Sequence, residues 1–154
     1  MSKIYFFGDS EKYSEFSNDH VAPFTDNSNS VYRDFKSIDD FMNRRREEYD
    51  DEDHAEVRHG TVGTAKDRYE KYQLNQDIRF ENDLLIFLEQ AIALKFDQNP
   101  ALKKLLLETG DAKLIYNHKH NSFLGIGKHE SGPCAGKNHL GRLLMEYREI
   151  KKYE

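Results

Sequence analysis

The sequence predicts an α+β fold, helix-dominated, in a single domain over residues 1–154 with a small β-sheet. Two observations establish the class. Apolar residues recur at helical spacing in the longest patterned segments, above all from Arg79 to Phe96 and from Asn138 to Ile150. Strand-like runs are few and short, at Lys3 to Phe7, Lys113 to Tyr116 and Phe123 to Ile126. A third observation sets the scale: 154 residues with 37% hydrophobic content suit one core.

In chain order, Lys3 to Phe7 is an apolar, aromatic-rich run ending at Gly8 and predicts a buried strand. Asp9 to Asp34 is rich in Ser, Asn and Asp and contains Pro23, so it predicts loop with one short strand around Val21 to Thr25. Ser37 followed by Ile38, Asp39 and Asp40 is a helix start, a hydroxyl cap ahead of acids in the first turn. Phe41 and Met42 give that helix its buried side, and Arg44 to Arg46 a solvated one. Tyr49 to Glu56 is acidic and predicts a solvated stretch, His59 to Gly63 a loop, and Thr64 the cap of a short helix toward Tyr72. From Arg79 to Phe96, Leu84, Leu88, Ala91, Ile92 and Phe96 fall at core spacing. Asn99 predicts the next cap, with Pro100 where its missing N–H costs nothing, an apolar stripe at Leu102, Leu105 and Leu106, and Gly110 at the left-handed C-terminal position. The strands at Lys113 and Phe123 flank a polar turn. Asn138 caps the closing helix, which carries Leu140, Leu143, Leu144, Tyr147 and Ile150 on one face.

The lone Cys134 excludes an intramolecular disulfide and fits a reducing compartment. No apolar run has the length to span a bilayer, and the N-terminus lacks a signal-peptide core, so the expected location is cytoplasmic with no membrane partner. Net charge is −5 and unevenly placed, with 13 basic against 22 acidic residues up to Leu102 and 10 against 6 from Lys103 onward. Surface fluctuation accounts for this split, and so does a C-terminal part that supplies donors to a phosphate-bearing ligand. A broad nucleic-acid-binding stripe is not evident. His118, His120, His129, Cys134 and His139 match no structural-zinc spacing, so no metal is expected.

The ordered set of YFFG at Tyr5 to Gly8, KF-QNP-L--LLL-TGD--L from Lys95, GIG at Gly125 to Gly127 and GKN-LGRLLME-R from Gly136 resembles the NADAR (YbiA-like) family. The resemblance implies an N-glycosidase that removes ADP-ribose from a nucleobase such as guanine, or cleaves a related ribosyl N-linkage in a nucleotide-derived small molecule, without a cofactor. ADP-ribosylated DNA is within that substrate class. Such a reaction passes through an oxocarbenium-like transition state and calls for a carboxylate near the anomeric carbon and a donor for the departing base.

The resemblance aligns the family's S-V-E-H with Ser37-Ile38-Asp39-Asp40, so Asp39 keeps the carboxylate on a side chain one methylene shorter. It aligns L-V-E-A-S-P-x-D-x-x-W-G-I-G with Leu114 to Gly127, where Tyr116 replaces the Glu, Asn121 the Asp and Leu124 the Trp. It implies Asp39 against the oxocarbenium charge and Asn121 or Asp111 positioning water or ribose hydroxyls. Phe7, Gly8, Asp40, Gly125 and Gly127 would line the ligand, and Lys137 with the helix start at Asn138 would hold phosphate. Against these stand structural roles, with Asp39 and Asp40 as first-turn acids, Asp111 and Asn138 as caps and the aromatics as core. The lost carboxylates also leave open a non-catalytic module on the same scaffold that binds ADP-ribose, a nucleotide or a protein partner.

Overall fold

The computed structural model describes residues 2–27, 33–47, 83–127 and 136–154. The acidic stretch expected at 49–56, the loop at 59–63, the helix at 64–72 and the helix start at 79–82 lie outside the described residues, as do His129 and Cys134. Strand β1 (Lys3–Phe6) is followed by a short 3-10 turn (Ser14–Phe16), then by β2 (Phe24–Asp26) and β3 (Arg33–Phe35). Helices α1 over 38–47 and α2 over 83–98 come next, then α3 (Pro100–Glu108), β4 (Lys113–Tyr116) and α4 (His139–Lys152). This is an α+β, helix-dominated architecture. Among the described residues no helix is long and apolar enough to cross a membrane.

Among the described residues the strands form two separate pairs. β1 and β4 run parallel with Lys3 opposite Lys113 and Phe6 opposite Tyr116, and β2 pairs antiparallel with β3. The strand expected around Val21 begins only at Phe24, because Val21 is exposed while Phe24 and Phe35 are buried and face each other. The strand expected at Phe123 to Ile126 is a turn. There Asn121 Oδ1 accepts the N–H groups of Phe123 and Leu124 at 3.1 and 2.8 Å, which curls the chain before it can extend.

Phe6, Phe16, Phe41, Leu88, Phe96, Leu114, Leu140 and Leu144 are wholly buried and form one core. In α2 the stripe holds at Leu88, Ala91, Ile92 and Phe96, but Leu85 packs on the core where Leu84 was expected. Ile150 is likewise exposed, so the buried face of α4 ends with Tyr147 and Arg148. Asn99 occupies the cap position of α3 without capping it. Its amide donates instead to the Lys95 carbonyl at 2.7 Å and the Pro23 carbonyl at 3.2 Å, locking the α2–α3 corner.

α4 sits directly on β4. A Cβ at Gly141 would overlap the Leu114 carbonyl oxygen, so only glycine permits this approach. Asn138, expected to cap α4, adopts a left-handed backbone at φ 52° and turns its amide toward the strand. Its Oδ1 accepts the Tyr116 N–H at 2.9 Å and its Nδ2 donates to the Leu114 carbonyl at 2.9 Å. Further along, the buried Arg148 donates to the Ala112 carbonyl at 2.8 Å and to Thr109 Oγ1 at 2.9 Å, and the Tyr147 hydroxyl donates to Asp97 at 2.5 Å. α4 is thereby tied to α2, to the turn after α3 and to β4.

Candidate functional site

Because β1 and β4 are parallel, their C-terminal ends open on the same side, the end at which parallel strands present ligand sites. A cavity of about 360 Å³ lies there, bounded by Phe7 and Asp9 after β1 and by Asn117, His118, Lys119 and His120 after β4. Tyr5, Phe6, Phe7, His118 and His120 give it an aromatic lining, backed by Tyr116. Tyr116 stacks on Phe6 at 5.3 Å between centroids, and His118 meets the Phe7 ring edge-on at 5.2 Å.

Asp39 stands at the start of α1, within electrostatic reach of His118. Ser37 Oγ accepts the Asp40 N–H at 3.2 Å and Asp40 Oδ2 accepts the Lys36 N–H at 3.1 Å, so Asp40 serves the cap. Asp39 donates its own N–H to the Asn18 carbonyl at 3.0 Å. Although the residue as a whole is exposed, its carboxyl is held above the usual carboxylate range. Partial burial of the carboxyl is the main cause, Asp19 adds to it, and Lys95 and His118 oppose it.

Lys95, on α2, is completely buried. Its ammonium donates to the carbonyls of Glu15 at 2.7 Å and Ser17 at 3.1 Å. Burial pulls its pKa down to about 8, against the attraction of Asp19, Asp39 and Glu15. The Tyr116 phenol is pushed up by burial; the neighbouring Ser17 hydroxyl moderates this, while Asp39 and Asp19 add to it. By strict geometry Ser17 Oγ and Asn18 Oδ1 are buried without a hydrogen-bond partner among the described residues.

The other residues singled out from sequence divide clearly. Phe7 lines the cavity, and Gly8 lies between the lining residues Phe7 and Asp9. Asp111 sits before the opposite, N-terminal end of β4, largely exposed and paired with Lys152 at 3.1 Å. It is not brought together with Asp39. Asn121 spends its Oδ1 on the turn described above. Gly125 and Gly127 shape that turn, Gly125 against the Tyr116 carbonyl and Gly127 at φ +56°. The N–H groups of Lys137, Asn138, His139 and Leu140 all bond to carbonyls of residues 122–125 at 2.8–3.2 Å. These donors at the start of α4 are therefore already occupied by protein, in place of the expected phosphate. The Lys137 ammonium stands 6.0 Å from the Phe123 ring centre.

With this geometry in view, the family model described as NADAR domain matches residues 5–150. The chain belongs to the NADAR family. This NADAR chain is 42% identical over 62 residues to N-glycosidase YbiA of Escherichia coli (strain K12), a match covering 40% of this chain and 36% of that protein. It is 39% identical over 62 residues to an N-glycosidase of Nostoc punctiforme, covering 40% of this chain and 37% of that protein. The matched segment thus spans little more than a third of these curated relatives. Over its whole length the NADAR fold is similar to the NMR structure of the E. coli protein YbiA. The TM-score is 0.63 at 26% identity, covering 99% of this chain and 88% of that one.

Sequence reasoning missed Lys95 and the Ser17-Asn18-Asp19 segment of this NADAR site. Lys95 left two signals: it opens the KF-QNP stretch, and it falls on the apolar stripe of α2, seven residues after Leu88 and beside Phe96, where a charge must find buried partners. The segment Ser17 to Asp19 left none, being a polar stretch in a polar loop.

Proposed function

We propose that this chain is an N-glycosidase that hydrolyses the bond between a nucleobase and ribose in an ADP-ribosylated base such as guanine, or in a related ribosyl phosphate compound. The carrying observation is Asp39, a carboxylate within electrostatic reach of the buried Lys95 and of His118, which lines the cavity. The names of the relatives support the reaction class. In this reading the Asp39 carboxylate faces the positive charge that develops at the anomeric carbon as the C–N bond breaks. Lys95 and His118 favour its ionised form. Tyr5 and Phe7 offer apolar surface to the ribose or base, and His118, Lys119 and His120 offer cationic or hydrogen-bonding contact to phosphate. The lone cysteine is consistent with work in the cytoplasm.

The test is release of ADP-ribose from ADP-ribosylated guanosine, free and in an oligonucleotide, by wild type and Asp39→Ala. Turnover by wild type that disappears in the variant supports the reading; no turnover above a blank removes it. A second reading has its own support, because Asn121 Oδ1 is occupied by the turn and Asp111 lies before the far end of β4, paired with Lys152. A non-catalytic ADP-ribose-binding module predicts binding that survives Asp39→Ala and no product from either protein.

A further inference from the structure

Three consecutive residues after the 3-10 turn each hold a different part of the site. The Ser17 carbonyl accepts a hydrogen bond from Lys95, and the Asn18 carbonyl accepts the Asp39 N–H. The Asp19 carboxylate rests on Gly8, so closely that a Cβ there would come within 2.5 Å of Oδ2. Asp19 is exposed, and its charge reaches Asp39, Lys95 and Tyr116, which stand on three different elements. It is not the hydrogen-bonding partner of Lys95, whose ammonium turns to the Glu15 and Ser17 carbonyls instead. Gly8 lies between Phe7 and Asp9, which both line the cavity, so the Asp19 carboxylate packs on the cavity's β1 rim, and the glycine is what gives it room.

Resting on the N-glycosidase reading, we propose that Asp19 is a second catalytic carboxylate whose work is distinct from that of Asp39. Asp39 faces the developing positive charge. Asp19 takes a proton from the attacking water as the water oxygen bonds to the anomeric carbon and the C–N bond breaks. The electron pair of that bond leaves with the base, which takes up a proton from solvent. Hydrolysis of a ribosyl bond through a cationic transition state calls for this division between a charge-stabilising group and a proton acceptor.

The experiment follows ADP-ribose release from ADP-ribosylated guanosine by wild type and Asp19→Asn, each with and without sodium azide, a nucleophile that needs no base. The expected result is a loss of about 100-fold in kcat for Asp19→Asn, the low end for a general base. KM should stay within about threefold, and azide should restore turnover with ADP-ribosyl azide as product. An Asp19→Asn variant as active as wild type overturns the proposal, as does a loss that azide does not repair. Asp19→Ser repeats the test with a smaller side chain against Gly8, and thermal unfolding of each variant confirms the fold. Failure of the glycosidase reading itself shows separately, as absence of release by wild type, and takes this proposal with it.

Discussion

At Asp39 and Lys95 the fold carries two groups whose charged forms it disfavours. The Asp39 carboxyl has its pKa raised on folding, chiefly by burial. The folded chain therefore binds this proton more tightly than the unfolded chain, and stability from this residue falls as pH climbs above 3.8 through the raised value. Lys95 is lowered from 10.5 to about 8, so between those values the unfolded chain holds the extra proton and this residue's contribution to stability rises with pH. At neutral pH both charged groups are a cost, the pattern expected where activity is kept at the expense of stability. Asp39→Asn is accordingly expected to raise the melting temperature at pH 7 while lowering kcat by about 100-fold or more, the scale for loss of a charge-stabilising group. An unchanged or lowered melting temperature would contradict this assignment. The pH profile of kcat/KM should show an acid limb above the usual carboxylate range and an alkaline limb near pH 8 as Lys95 loses its proton. Lys95→Arg should move the alkaline limb well upward in the same assay. At this scale the cap-and-acid pattern disclosed the start of α1, on which Asp39 stands. The sequence hid the Lys95 environment, because Lys95 and Ser17 lie 78 positions apart.

At the scale of elements, the region from Asn121 to Leu140 shows how side-chain hydrogen bonds override strand propensity. Phe123 to Ile126 has strand-forming side chains, but Asn121 captures two successive N–H groups, and the carbonyls of 122–125 are taken by the residues entering α4. Turn and helix start form one unit for that reason. The periodicity of α2, α3 and α4 was legible, since apolar spacing reports burial directly. The caps were not, because Asn99 and Asn138 have partners remote in sequence that compete with the local N–H groups. Gly141 fixes the distance between α4 and β4. Gly141→Ala must push the helix off the strand, so it should destabilise by about 1–3 kcal/mol despite alanine's better helix propensity. A melting temperature equal to wild type would show that the helix yields without cost.

Across the whole molecule, α4 is the member that connects the rest. Arg148 reaches the turn after α3, Tyr147 reaches Asp97 near the end of α2, and Gly141 touches β4. Arg148→Met would keep most of the packing but leave the Ala112 carbonyl and Thr109 hydroxyl without this donor, a loss of about 1–3 kcal/mol. Urea unfolding should report it as a lower midpoint at unchanged slope. The helix-dominated class was readable from composition and period, whereas the separation into two strand pairs was not, since pairing depends on contacts between distant segments. One of those pairs has a vulnerability that the fold closes with the Ile126 N–H on the Tyr116 carbonyl and, chiefly, with Asn138. β1 covers one flank of β4, and an uncovered flank would invite a strand from another molecule. The Asn138 amide gives β4 a carbonyl for the Tyr116 N–H and an N–H for the Leu114 carbonyl, the pair that one residue of a parallel neighbour would supply opposite Ile115. Asn138 is in effect a third strand one residue long, and its value to the protein is colloidal: it denies other copies a template for growth. Asn138→Ala should then aggregate faster than wild type at equal fraction folded, measured by light scattering over time.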